Sequence, residues 1–111
     1  INIKDEDLKN ADFTLLENEN EKRIIFQIAN FPKVIEQSAI FMEPHRLSYY
    51  LRDLASSFHQ YWNLKIDSKR IHILDKSQIE LSIARLALLI VVSITIKSGL
   101  KLLGIEAIEE L

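Results

Sequence analysis

A chain of 111 residues that is 48% hydrophobic and 27% charged fits one domain with a sizeable core and is not a disordered tail. Its net charge of −2 is not the balance of a generic nucleic-acid binder, and the absence of cysteine excludes disulfides and thiolate metal sites and favours an intracellular origin. Two glycines and two prolines are sparse punctuation, which favours long helices over many short strands.

In chain order, residues 1–12 are polar and acidic with weak periodicity, and read as a solvated lead-in or the end of a preceding element. Leu16, Ile24, Ile25 and Ile28 predict an amphipathic helix starting near Asn18 to Asn20 and ending at Asn30. Phe31-Pro32 starts a second helix, with Pro32 at its first position, and Val34, Ile35, Ala39 and Ile40 line one face. It should stop near Met42, because Glu43 precedes Pro44 and is biased out of the helical region.

Pro44 opens a third helix running to about Lys65. Leu47, Leu51, Leu54, Phe58, Tyr61 and Lys65 fall on one face at a helical period. Arg46, Tyr50, Asp53 and Ser57 lie on one edge of that stripe and Trp62 toward the other, while His45, Arg52 and His59 point away. Residues 66–76 form a connector whose cluster Ile71, Ile73 and Leu74 is expected to tuck against the core.

The last long element runs from Ser77 to Leu103. No Gly, Pro, Asn or Asp interrupts it between Asp75 and Gly99, so it reads as one helix of about 25 residues capped by Ser77 or Asp75. From Leu86 to Ile96 it is apolar on nearly every side, which predicts a helix surrounded by the others. The apolar run between Arg85 and Lys97 is shorter than the roughly 20 residues a membrane span needs. Gly104 suits the left-handed stop position. The fold class expected is an all-α bundle of about four main helices around a long buried C-terminal helix, one domain over residues 1–111.

Charge is unevenly distributed. Residues 1–23 carry four basic and seven acidic groups, residues 33–101 ten basic and six acidic, and residues 102–111 three acids alone. A mildly basic helical body thus lies between acidic ends. Residue 1 is Ile rather than Met, and a piece of a longer chain is expected.

Enzymatic signals are missing. Two isolated glycines build no phosphate loop, His45, His59 and His72 have no partners at metal-ligand spacing, and no carboxylate pair stands out as an acid–base couple. The better lead is aromatic. Tyr49, Tyr50, Phe58, Tyr61 and Trp62 fall within 14 residues, with Arg46 and Arg52 interleaved. Such rings either fill a helix–helix contact or stack exposed bases while arginines hold the backbone. Arg85, within the apolar helix, is expected to pair with a carboxylate such as Glu43 or Asp53.

The run Glu43-Pro44-His45-Arg46-Leu47, followed by Tyr50-Leu51, Leu54-Ala55, Phe58 and Tyr61-Trp62, resembles a helix of the anticodon-binding domain of arginyl-tRNA synthetases. Ala84-Arg85-Leu86-Ala87-Leu88, then Gly99-Leu100 and Leu102-Leu103-Gly104-Ile105, resembles the final helix and tail of the same (DALR-type) domain. Leu15-Leu16 and the Phe31-Pro32 step also fit, so the similarity runs from about Phe13 to the last residue. The resemblance implies a C-terminal helical domain of a class I synthetase, the ligase that joins arginine to tRNA(Arg) using ATP with Mg. The catalytic motifs of that class are not in this sequence, so no cofactor is expected here. The implied partners are the anticodon stem-loop of tRNA(Arg) and the catalytic domain of the same chain, with a monomer, no membrane and a cytoplasmic location.

Residue by residue, Tyr50 matches the tyrosine after the family's Glu-Pro step and Trp62 an aromatic position on the same helix. Leu111 stands where a C-terminal methionine is usual against the anticodon bases, keeping an apolar contact without the thioether. Tyr50 and Trp62 are therefore expected to contact bases, Arg46 and Arg52 the backbone or rim, and Leu111 to close the pocket. Tyr50→Ala is expected to weaken tRNA discrimination without unfolding the bundle. The alternative is a helical protein-interaction module docking through the same aromatic edge. A tRNA reader loses affinity steeply with salt and an apolar docking surface does not.

Overall fold

The computed structural model of the chain describes residues 3–63, the backbone of 65–66 and 69–70, and residues 78–104. Within these the fold is an all-α bundle, as the punctuation predicts. Helix α1 (Asp5–Lys9) and a 3-10 turn (Phe13–Leu15) lead into α2 (Glu19–Ala29), α3 (Phe31–Ile40), α4 (Pro44–Trp62) and the long α5 (Ile79–Leu102). Two antiparallel residue pairs, Lys65 with Arg70 and Ile66 with Lys69, make a small β-ladder after α4. The lead-in is thus not wholly irregular: α1 and the 3-10 turn both pack on α5.

Local chemistry sets most boundaries. Asn18 caps α2 by accepting from the Asn20 amide at 2.9 Å, and Glu21 reaches back to the Asn18 amide at 3.3 Å, closing a capping box. Phe31 rather than Pro32 is the first residue of α3, so the proline sits one position further in, where an N–H is still not needed. At the end of α3 the Met42 amide donates to the Ala39 carbonyl at 3.2 Å and the Glu43 amide to the Ser38 carbonyl at 2.9 Å. That is a Schellman stop, and it forces Met42 to φ 54°, a left-handed conformation usually left to glycine. Gly104 takes the equivalent φ of 80° after α5. Helix α4 ends at Trp62, before Lys65, with Asn63 as its C-cap. Gln78 is the N-cap of α5 and makes no side-chain cap; the expected caps Asp75 and Ser77, and the Ile71, Ile73 and Leu74 cluster, lie outside the described residues.

The core is built from Leu16, Ile24, Leu54, Tyr61, Ala84, Leu88 and Val92, all nearly inaccessible. From Leu47 to Tyr61 the predicted α4 stripe is the buried one, with Ser57 also drawn in and Phe58 half-buried at its edge; the Lys65 side chain lies outside the described residues. Gly99 explains itself at the α4–α5 crossing. A Cβ there would lie 2.6 Å from Leu51 Cδ2 and 3.1 Å from its Cγ, so glycine lets the two helices approach.

Helix α5 is the long axis of the bundle, as expected, but the described elements cover it on one side rather than all round. Helix α5 is long and apolar enough to cross a membrane by composition, yet only 33% of its most apolar 18-residue window is buried. Elements α2, α4, α1 and the 3-10 turn cover one side, and Ile79, Ile90 and Ile94 stand exposed on another. Among the described residues α3 packs on α4 and α2 rather than on α5, so it adds nothing to that cover.

Candidate nucleic-acid interface

A buried polar triad sets the position of α4. Glu21 on α2 is 1% exposed and is the acceptor at its centre. Its Oε2 accepts from Tyr61 Oη at 2.7 Å and from Arg85 Nε at 3.0 Å, while its Oε1 accepts from the Asn18 amide. Three helices are thereby joined at one carboxylate. Arg85 is paired, as expected, but with Glu21 rather than Glu43 or Asp53. Those two are elsewhere: Asp53 is exposed, and Glu43 is engaged at the α3–α4 corner. A buried ion pair of this kind is tolerated only because both charges find partners.

That triad faces inward, so the opposite side of α4 is left for solvent. Along it run His45, Tyr49, Arg52, Ser56 and His59, all exposed. Their spacing of three and four residues stacks them in one line on the helix. The His45 and Tyr49 rings meet edge-on with centroids 5.7 Å apart, and the Arg52 guanidinium lies 5.4 Å from the Tyr49 centroid. Tyr49 is 55% exposed, so one ring face or edge stays open beside an imidazole and a guanidinium. The sequence counts Tyr49 in the aromatic cluster and turns His45 outward, but neither is among the residues expected to contact RNA. The available signal was geometric: Tyr49 falls opposite the Leu47–Leu51–Leu54 stripe and has no reason to be aromatic for the core.

The predicted residues are distributed differently from one pocket. Trp62 closes α4, is 53% exposed, and leans on Phe58 with centroids 6.3 Å apart. It flanks the Tyr49–Arg52 line on one side. Arg46 flanks the other, held by a 2.7 Å bond from its Nε to Glu43 Oε2 and lying 5.0 Å from the Phe41 ring centroid. The Arg46 bond holds the Glu43 carboxyl below the usual range, with His45 Nε2 at 3.4 Å adding to the effect. Phe41 and Met42 extend this corner with exposed apolar side chains. Arg52 is on the strip itself. Leu111 lies outside the described residues.

Tyr50 has a different character. It is half-buried, its ring stacks on Phe31 with centroids 5.7 Å apart, and its hydroxyl donates to the Gln27 carbonyl at 2.5 Å. It therefore ties α4 to the last turn of α2 and the first of α3. About 18 Å of helix rise separates Tyr50 from Trp62, and they differ by about 120° in direction, so one base cannot meet both.

Two tyrosines are neutral donors inside the fold, and this has a pH signature. Burial raises the Tyr50 phenol from its ordinary 10.0 to about 12. Burial first, and then the bond to Glu21, raise Tyr61 further in the same direction. Because the folded chain holds protons that the unfolded chain releases, this stability is intact below about pH 10 and is lost as pH rises through the raised values. Denaturant midpoints should be flat on approach to pH 10 and then fall, and Tyr61→Phe should fall less steeply.

Comparison with known proteins gives the family. Residues 2–111 match the model of the DALR anticodon binding domain, and the chain belongs to that family. It is 43% identical over 104 residues to the arginine–tRNA ligase of Beijerinckia indica subsp. indica, covering 94% of this chain and 18% of that protein. It is 40% identical over 109 residues to the arginine–tRNA ligase of Parvibaculum lavamentivorans, covering 98% and 19%, and 43% identical over 101 residues to that of Agrobacterium fabrum, covering 91% and 17%. The chain thus spans under a fifth of the length of the curated relatives it matches. No solved structure matches it.

Proposed function

We propose that this chain is the anticodon-reading domain of an arginine–tRNA ligase and that the outward strip of α4 is its RNA-facing surface. The observation that carries this is the line His45, Tyr49, Arg52, flanked by Trp62 and by Arg46. It offers exposed aromatic faces alternating with guanidinium groups, on a helix held from behind by the Glu21–Tyr61–Arg85 triad. Splayed loop bases stack on such rings, and arginines meet the phosphates between them. High net charge is not required, which reconciles the reading with a formal charge of −2.

In this reading the chemistry is elsewhere. ATP, Mg and arginine belong to the catalytic part of the same polypeptide, and this domain contributes recognition of tRNA(Arg) in the cytoplasm, as part of a monomer. Tyr50 supports the surface from beneath, and Leu111 is assigned to the base contact at the end of the chain by family resemblance.

Trp62 is the chain's single tryptophan, so its emission reports the interface alone. Titrating an anticodon stem-loop of tRNA(Arg) should quench it saturably, with affinity falling as salt rises in proportion to the phosphates neutralised. A stem-loop with an altered anticodon should bind more weakly. Quenching indifferent to both loop sequence and salt would overturn the proposal and favour a protein-docking surface.

A further inference from the structure

Helix α5 carries a second surface, pointing the other way. At a helical period, Ile79, Ile83, Leu86, Ile90 and Ile94 fall within about 80° of one another. Ile79, Ile90 and Ile94 are 53%, 39% and 57% exposed, and Ile83 and Leu86 are half-buried. Beside this stripe, α1 and the 3-10 turn leave an apolar cleft of about 520 Å³, lined by Leu8, Ala11, Phe13, Ala87, Ile90 and Ile94 among others. Further along the same line the exposed positions become Lys97 and Lys101, so the apolar part is bounded.

The stripe lies opposite the residues that α5 turns toward α4 and the core. Leu88, Val92 and Gly99 face inward, Gly99 directly against Leu51 of α4. The proposed RNA strip in turn lies on the far side of α4 from Leu47, Leu51 and Leu54. The two surfaces are therefore on opposite sides of the α4–α5 layer, and one can be covered while the other binds RNA.

What covers the stripe follows from length and composition. A row of isoleucines on one helix face is a docking surface rather than a solvated one. More than four-fifths of each curated relative lies outside the part this chain matches. A partner tethered in the same polypeptide is present at high effective concentration, so a narrow apolar stripe suffices to hold it. A second copy would have to be held by the stripe's affinity alone. We propose that the α1–α5 face, centred on Ile90 and Ile94, is where the remainder of the synthetase chain packs. This rests on the reading of the chain as a ligase domain.

The test is photochemical carbene footprinting of this chain alone and of the full-length synthetase that carries it, read by peptide mass spectrometry. Labelling of Ile90 and Ile94 should drop at least fivefold in the full-length protein, while Tyr49 and Trp62 label equally in both. Ile94→Lys in the full-length protein should restore labelling of Ile90 and leave stem-loop binding by the isolated chain unchanged. Equal labelling of Ile90 and Ile94 in the two proteins would overturn the inference. So would protection that appears in the isolated chain as its concentration rises, which would assign the stripe to a second copy. Failure of the wild-type chain to bind the stem-loop would count against the anticodon reading and leave the footprinting contrast to be judged separately.

Discussion

Glu21→Ala is expected to destabilise the domain more than any other single change at a charged residue, by about 3–5 kcal/mol. It removes the carboxylate that accepts from Tyr61 Oη at 2.7 Å and from Arg85 Nε at 3.0 Å, at a site only 1% exposed. It also opens the capping box at the start of α2. In a domain of this size the loss is a large part of total stability, and the thermal midpoint should fall on the order of 15 °C. Glu21→Gln keeps an acceptor for Tyr61 and should lose less. Replacing the triad together, as Glu21→Met, Tyr61→Phe and Arg85→Met, should recover much of the stability because the buried Tyr61 hydroxyl and Arg85 guanidinium no longer face a site without Glu21. Thermal and urea unfolding of the four proteins checks this. A cost below about 1 kcal/mol for Glu21→Ala would mean that water reaches the triad.

The second large effect is on RNA. Trp62→Ala should weaken stem-loop binding by about 1–3 kcal/mol, the worth of stacking one base, while leaving the thermal midpoint nearly unchanged because the ring is 53% exposed. Tyr49→Ala should behave in the same way, with Arg52→Ala adding a shallower salt dependence. Tyr50→Ala should not. Its ring is stacked on Phe31 and its hydroxyl holds the end of α2, so binding and stability should fall together. Fluorescence anisotropy with a labelled stem-loop, paired with unfolding curves, separates the two classes. If Trp62→Ala melts early and Tyr50→Ala does not, the division between an outer reading strip and an inner support is reversed.

This division differs from the simplest reading of the aromatic cluster. Family resemblance directs attention to Tyr50 and Trp62 as equivalent base contacts. In the fold they occupy different flanks of α4 at different heights, and Tyr50 has already committed its hydroxyl to the Gln27 carbonyl. Tyr49, one residue away, is the ring left open. Adjacent residues on a helix point about 100° apart, so one position decides between support and contact.

Much of the fold was legible because it is written in local chemistry. Asn18 with Glu21 starts α2, Pro44 opens α4, and Gly104 takes the left-handed turn after α5. Each acts within a few residues, and period alone separated the buried stripe of α4 from its wet side. The stop after α3 was placed correctly by Pro44, yet its geometry uses Met42 in a glycine-like conformation, which no residue preference announces.

The chain by itself determined the all-α class, the order of its helices, the α4 core stripe and the family, since these depend on spacing, capping and local residue identity. Only the tertiary structure decided which carboxylate meets Arg85, because Glu21 is 64 residues away and nothing in the spacing distinguishes it from Glu43 or Asp53. Tertiary packing likewise decided which side of α5 the described elements cover and that Ile79, Ile90 and Ile94 stay exposed. Hydropathy records that a residue prefers to be buried; it does not record whether this stretch of chain supplies enough neighbours to bury it.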